Sequence, residues 1–162
     1  GGQLEASTYG TGNAGNININ ANSITFSGAI NQRTSGVLSN VENGANGTGG
    51  IIDIRADSLS LTDGGQIQTI VRDASDTTSG GNGNAGKVII DIRGSFDVSG
   101  VNGYSSAVLT YVGSGAKGNG GDIDLKTRSL SLTDGGNITA STYGQGDAGN
   151  VTVEIAETAT FT

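Results

Sequence analysis

Apolar residues along this chain recur at every second position, in short runs that each follow a glycine-rich tetrapeptide. The tetrapeptides are GNAG at 12–15, GTGG at 47–50, GNAG at 83–86, GNGG at 118–121 and GDAG at 146–149. Behind them stand the pairs Ile17 and Ile19, Ile52 and Ile54, Val88 and Ile90, Ile123 and Leu125, and Val151 and Val153. A second alternating segment follows, with Ile24 and Phe26, Leu59 and Leu61, Phe96 and Val98, Leu130 and Leu132, and Ala159 and Phe161. A third is weaker: Leu4 and Ala6, Ile67 and Thr69, Ile138 and Ala140. A period of two places alternate side chains on one face of a strand, and no stretch carries the apolar stripe of a helix.

The closing glycines, Gly15, Gly50, Gly86, Gly121 and Gly149, recur at a nearly constant interval, with only the last step shorter. The phrase SLSLTDGG at 58–65 returns two intervals later at 129–136, and residues 37–66 match residues 108–137 at 18 of 30 positions. Three short strands in each period of about 28–36 residues, separated by Gly and Asn turns, predict an all-β chain wound as a parallel β-helix, or β-solenoid. Residues 1–162 then form a single segment, with coils starting near 12, 47, 83 and 118 and partial coils at 1–11 and 146–162. Equivalent side chains are expected to stack in files about 4.8 Å apart. Glycine supplies the positive φ or the close approach at the turns. One outward file supports this register. It reads Asn20, Arg55, Asp91, Lys126 and Glu154, so the charges alternate in sign, and opposite neighbours on paired strands contribute roughly 0.2–1 kcal/mol each.

Composition narrows the chemistry. There is no Cys, Met, Trp, His or Pro, against 30 Gly, 3 Phe and 4 Tyr, so aliphatic residues must fill a narrow, regular interior. Imidazole bases, thiol nucleophiles, disulfides and the usual zinc ligands are absent, and no cofactor is expected. A net charge of −7, from 8 Lys plus Arg and 15 Asp plus Glu, argues against nucleic acid. No run of 18 apolar residues exists, which argues against insertion into a membrane by a helix. The start, GGQLEASTYG, has no basic region followed by an apolar stretch, so an export signal is expected outside this segment.

The phrases GNAGNININANSITFSG, DSLSLTDGGQI and RSLSLTDGGNITASTYGQGDAGNVTV resemble the repeat region of filamentous haemagglutinin-like exoproteins, large bacterial proteins exported by two-partner secretion. The resemblance covers essentially the whole chain. It implies a right-handed parallel β-helix, a secreted or cell-surface location, and a role as an adhesin or extended scaffold. The N-terminal secretion domain of that family is not matched. Residues 1–10 match residues 135–144, and the chain stops at the end of a second strand. It is therefore expected to lie within a longer rod or to associate head to tail into a filament.

Two candidate surfaces follow. The outward positions of the second strand are Ser or Thr at fourteen of fifteen places, including Thr25, Ser27, Ser60, Thr62, Ser99, Ser131, Thr133 and Thr160, with Asp97 the exception. Such a lattice of hydroxyls suits an ordered polar surface, either a glycan or ice, and equally suits a merely solvated face. The other surface is made by loops 28–46, 63–82 and 100–117, whose extra residues are expected on one side and include Arg33, Arg72, Asp73, Asp76 and Tyr104. An enzyme acting on polysaccharide would need clustered carboxylates. Asp53 and Asp124 share an outward position but with Ile89 between them, about 9.6 Å apart. Asp63 and Asp134 suit turns, and no calcium-binding nonapeptide is present. The expected function is that of a non-enzymatic structural and adhesive segment attaching to a surface glycan or matrix. A glycan- or ice-binding module is the alternative, and a polysaccharide-acting enzyme a second one.

Overall fold

The computed structural model describes residues 1–31, 33–100 and 105–162. Among these the chain is all β. Strand β1 (Gln3–Glu5) precedes the long β2 (Ile17–Ser27), and a small hairpin, β3 (Ala29–Ile30) with β4 (Arg33–Thr34), leads into β5 (Gly36–Leu38). Then come β6 (Ile52–Thr62), β7 (Gln66–Val71), β8 (Val88–Ser99) and β9 (Ala107–Val112). The chain finishes with β10 (Ile123–Leu132), β11 (Asn137–Thr142) and β12 (Val151–Phe161).

Long and short strands sort into two parallel sheets. The long sheet has the order β2-β6-β8-β10-β12, and the short sheet the order β1-β5-β7-β9-β11. Each period of sequence therefore contributes one strand to each sheet, laid directly beside its equivalents. Isolated parallel bridges link Thr11, Asn46, Asn82, Lys117 and Gln145 in succession, just ahead of the glycine tetrapeptides.

The register makes every file explicit. Ile17 pairs with Ile52, Ile52 with Val88, Val88 with Ile123, and Ile123 with Val151. Ile24, Leu59, Phe96, Leu130 and Ala159 form a second file, and Leu4, Val37, Ile67, Val108 and Ile138 a third, from the short sheet. In the middle layers these side chains are fully buried in one continuous core between the two sheets. Burying each Ile, Leu or Val contributes about 1.5–3 kcal/mol, so the interior is a sum of like layers. The outermost long strand differs: Val151, Val153 and Phe161 on β12 are exposed.

In one respect the expected strands are corrected. The first and second alternating segments of each period run together as a single long strand, so the sheets hold two strands per period and not three. Ala21-Asn22-Ser23 and Ala56-Asp57-Ser58 contain no Gly or Pro to break the ladder. The phase shifts instead. In β6, Ala56 is buried, Asp57 and Ser58 both turn outward, and Leu59 is buried again. Strands β8 and β12 fit one more residue into this bend than β10 does, and the register slips there between Thr127 and Ser129.

Tight turns and glycines fix the layer spacing. In TDGG, Asp63 and Gly64 have φ of 52° and 93°, and Gly65 donates its N–H to the Thr62 carbonyl at 2.9 Å. Asp134 and Gly135 repeat this with 51° and 81°, so both are two-residue turns of the primed kind. The closing glycines of the tetrapeptides serve close approach. A Cβ on Gly121 would lie 1.6 Å from the Gly86 carbonyl oxygen, and one on Gly86 1.9 Å from that of Gly50.

Candidate functional site

The outer half of the long sheet places the predicted hydroxyls in files. Thr25, Ser60, Asp97, Ser131 and Thr160 pair in succession across five strands. Ser27 pairs with Thr62 and Thr62 with Ser99, while Thr133 continues beyond β10, its N–H bonded to the Val98 carbonyl. Thr25, Ser27 and Thr160 are exposed, and Ser60, Thr62, Ser99, Ser131 and Thr133 are half-buried by their neighbours. Among the described residues, the hydrogen bond between hydroxyls of this face is Ser58 Oγ to Ser23 Oγ at 3.0 Å. The remaining hydroxyls keep their capacity for outside partners. Asp97 stands exposed in the middle of the array and breaks its uniformity.

The other half of the long sheet is charged. Asn20, Arg55, Asp91, Lys126 and Glu154 form the expected file, yet the ion pairs do not simply run along it. Lys126 lies 3.9 Å from Glu154, whereas Arg55 turns to Asp53 on its own strand at 2.9 Å. Further bridges join Arg93 to Asp57, Arg128 to Glu157 and Lys87 to Asp124. Such exposed pairs contribute about 0–1 kcal/mol each. The register places Ile89 between Asp53 and Asp124, and each of those acids is held by a different base. Among the described residues no group of three acidic side chains is gathered as a metal site.

The loop residues do not share one side, which corrects the expectation. Ser27 and Ser35 are period equivalents of Thr62 and Gly65, so the extra residues of the first period sit where the long strand passes to the short one. Gly100 and Ser106 flank those of the third period at the same junction, and Tyr104 lies outside the described residues. The extra residues of the second period, 72–81, leave instead from the far end of β7 and are closed by Gly81 N–H to the Arg72 carbonyl. The lengths in sequence are similar, but the register assigns them to different corners. Asp73 is a structural tie there, its Oδ1 accepting the Ser114 N–H at 2.8 Å. Asp76 is exposed.

Arg33 and Arg72 nevertheless meet across the outer face of the short sheet, lining one groove of about 390 Å³. Its floor is formed by outward residues of β1, β5 and β7, among them Leu38 and Gln68. Arg33 comes from the hairpin on one side and donates to Gln3 Oε1 at 2.9 Å. On the other side Arg72 pairs with Glu42 at 3.2 Å, and Tyr9 OH donates to Glu5 Oε1 at 2.5 Å. That hydrogen bond keeps the Tyr9 phenol protonated and pushes its pKa up to about 12, with burial and the Glu5 charge adding to the effect. Burial raises the nearby Tyr111 as well, and its ring meets Tyr143 edge-on at 6.0 Å.

A file of inward hydroxyls went unseen in the sequence. Ser39, Thr69 and Thr110 of the short sheet are buried opposite the tetrapeptides. Ser39 Oγ accepts the Gly50 N–H at 2.9 Å and donates to the Gly15 carbonyl at 2.8 Å, while Thr69 Oγ1 accepts the Gly86 N–H. The available signal was Thr69 in an otherwise apolar inward position. Comparisons with protein-family models, with curated proteins and with solved structures return no match for this chain.

Proposed function

We propose that this chain is a segment of a right-handed parallel β-helix, acting as a non-enzymatic structural and adhesive element of a secreted or surface-exposed bacterial exoprotein. The observation that carries the reading is the unbroken file from Ile17 to Val151, in which every period pairs in parallel with the next. Such a stack is stiff along its axis and repeats any surface group at a fixed interval, which is what multivalent attachment needs. The similarity to haemagglutinin-like repeats supports the adhesive part of the reading. Beads coated with the chain should adhere to glycan- or matrix-coated surfaces more strongly than beads coated with an unrelated acidic protein. Equal adherence would remove the adhesive role.

A second reading is a glycan- or ice-binding module acting through the hydroxyl face. It is favoured by the file of Thr25, Ser60, Ser131 and Thr160, whose hydroxyls have no partner among the described side chains. The triple change Thr25→Tyr, Ser60→Tyr and Ser131→Tyr should then abolish binding on a glycan array or inhibition of ice recrystallisation, with the melting temperature preserved. Binding that survives the triple change excludes this face.

A further inference from the structure

The groove between Arg33 and Arg72 is built differently from the rest of the surface. Outward positions along β6 on the long sheet are exposed or half-buried, yet Gln68 on the floor of this groove is 4% exposed. Its side-chain amide makes no hydrogen bond to any other described residue. At the floor of a groove open to solvent it offers a ligand both a donor and an acceptor. Gly36 lies in the file between Gln3 and Gln66, where a Cβ would run into the Gln66 backbone, so the floor is bare main chain at that point.

The walls supply both hydrogen-bonding polarities. Arg33 and Arg72 are donors, and Glu5 and Glu42 are acceptors, so the charges lining the groove cancel. The Arg72–Glu42 pair and the Tyr9–Glu5 bond hold these groups in place before anything binds, with Asn40 Nδ2 further fixing Glu42 at 3.0 Å. Tyr9 is 70% exposed at the rim and offers an open aromatic face. Leu38 is the apolar contribution to the floor.

We propose that this groove is a binding site for a neutral saccharide. Vicinal hydroxyls both donate and accept, and they match adjacent amide, carboxylate and guanidinium groups. The C–H face of a sugar ring matches an exposed aromatic ring. A lining of zero net charge gives no overall preference to an acidic or a basic ligand, and an apolar ligand finds little to cover. The volume falls in the range of small-molecule sites. The choice of a saccharide over other small polar ligands rests on the adhesive reading; the site itself does not.

The test is a chemical-shift titration of the 162-residue chain with N-acetylglucosamine, galactose and glucose, alongside glucuronate and glucosamine as charged probes. Saturable shifts at Gln68, Arg33 and Tyr9 are expected with at least one neutral sugar, and weaker ones with the charged pair. Gln68→Leu removes the donor and acceptor of the floor while keeping a side chain of similar size, and should weaken binding about tenfold or more with cooperative melting retained. Arg33→Gln, at an exposed position, should weaken it too, and Asp76→Asn should not. Absence of saturable shifts at millimolar sugar, a preference for glucuronate, or shifts confined to the hydroxyl face overturns the proposal. Bead adhesion that survives Gln68→Leu overturns the groove and leaves the adhesive reading intact. Sugar binding in the groove by a chain that adheres to no surface does the reverse.

Discussion

The Thr110 hydroxyl donates to the Gly121 carbonyl at 2.5 Å, across the interior. It ties the short sheet to the glycine tetrapeptide that opens the next long strand. Thr110→Val keeps the shape and leaves that carbonyl unsatisfied in the core, so stability should fall by about 1–3 kcal/mol in urea denaturation. Thr110→Ser should recover most of the loss. An unchanged midpoint for Thr110→Val would show that the contact is dispensable.

Close stacking of tetrapeptides makes a second prediction. Gly121→Ala puts a methyl group into the Gly86 backbone, and neither backbone can move without spoiling two layers. A loss of about 4 kcal/mol or more, or failure to fold, is expected. Gly10→Ala, where a Cβ meets nothing within 4 Å, should stay within about 0.5 kcal/mol. Equal melting temperatures for the two variants would contradict the packing described.

Tyr9 connects the groove to pH. Its phenol titrates at about 12 when folded, against 10.0 as the ordinary value. The folded state therefore keeps a proton that the unfolded chain has lost between these values. The stabilising effect is fully present below pH 10 and disappears as pH rises through about 12. Glu5→Gln should bring the Tyr9 midpoint back toward the ordinary value, followed by the ring resonances of that residue. A midpoint indifferent to Glu5→Gln would mean that the hydrogen bond is not its cause.

The β3–β4 excursion is separable from the stack. Because Ser27 and Ser35 are equivalent to Thr62 and Gly65, replacing residues 28–34 by Asp-Gly copies the turn already used at 63–64. The melting temperature should move by no more than about 2–4 °C, corresponding to about 1 kcal/mol. The loss of Arg33 should nevertheless weaken sugar binding in the groove. Loss of cooperative melting would instead make the hairpin part of the fold.

Much of the architecture was legible because it is periodic. Ile17, Ile52, Val88, Ile123 and Val151 each stand two places after a glycine marker, and a parallel ladder keeps such equivalents together. The single long strand was hidden because a change of phase at Ala56 and Leu59 looks, in one dimension, like the end of one strand and the start of another. The buried role of Thr110 was hidden because threonine is at home on either face of a strand. The groove was harder still. Arg33 and Arg72 stand in different periods and at different junctions, and they converge only when the outer face of the short sheet is seen edge to edge. Gln68 gave no sign, since alternation alone marks it as an outward, solvated residue.

The first period carries its β3–β4 hairpin at the junction that the second and fourth periods cross with a bare Asp-Gly pair. A storey of this tower can take on a balcony without disturbing the floor above, since Ser27 still meets Thr62, and Gly36 still meets Gln66, in register. Lengthening the tower by duplication would therefore need only that whole storeys be copied, from one glycine tetrapeptide to the next.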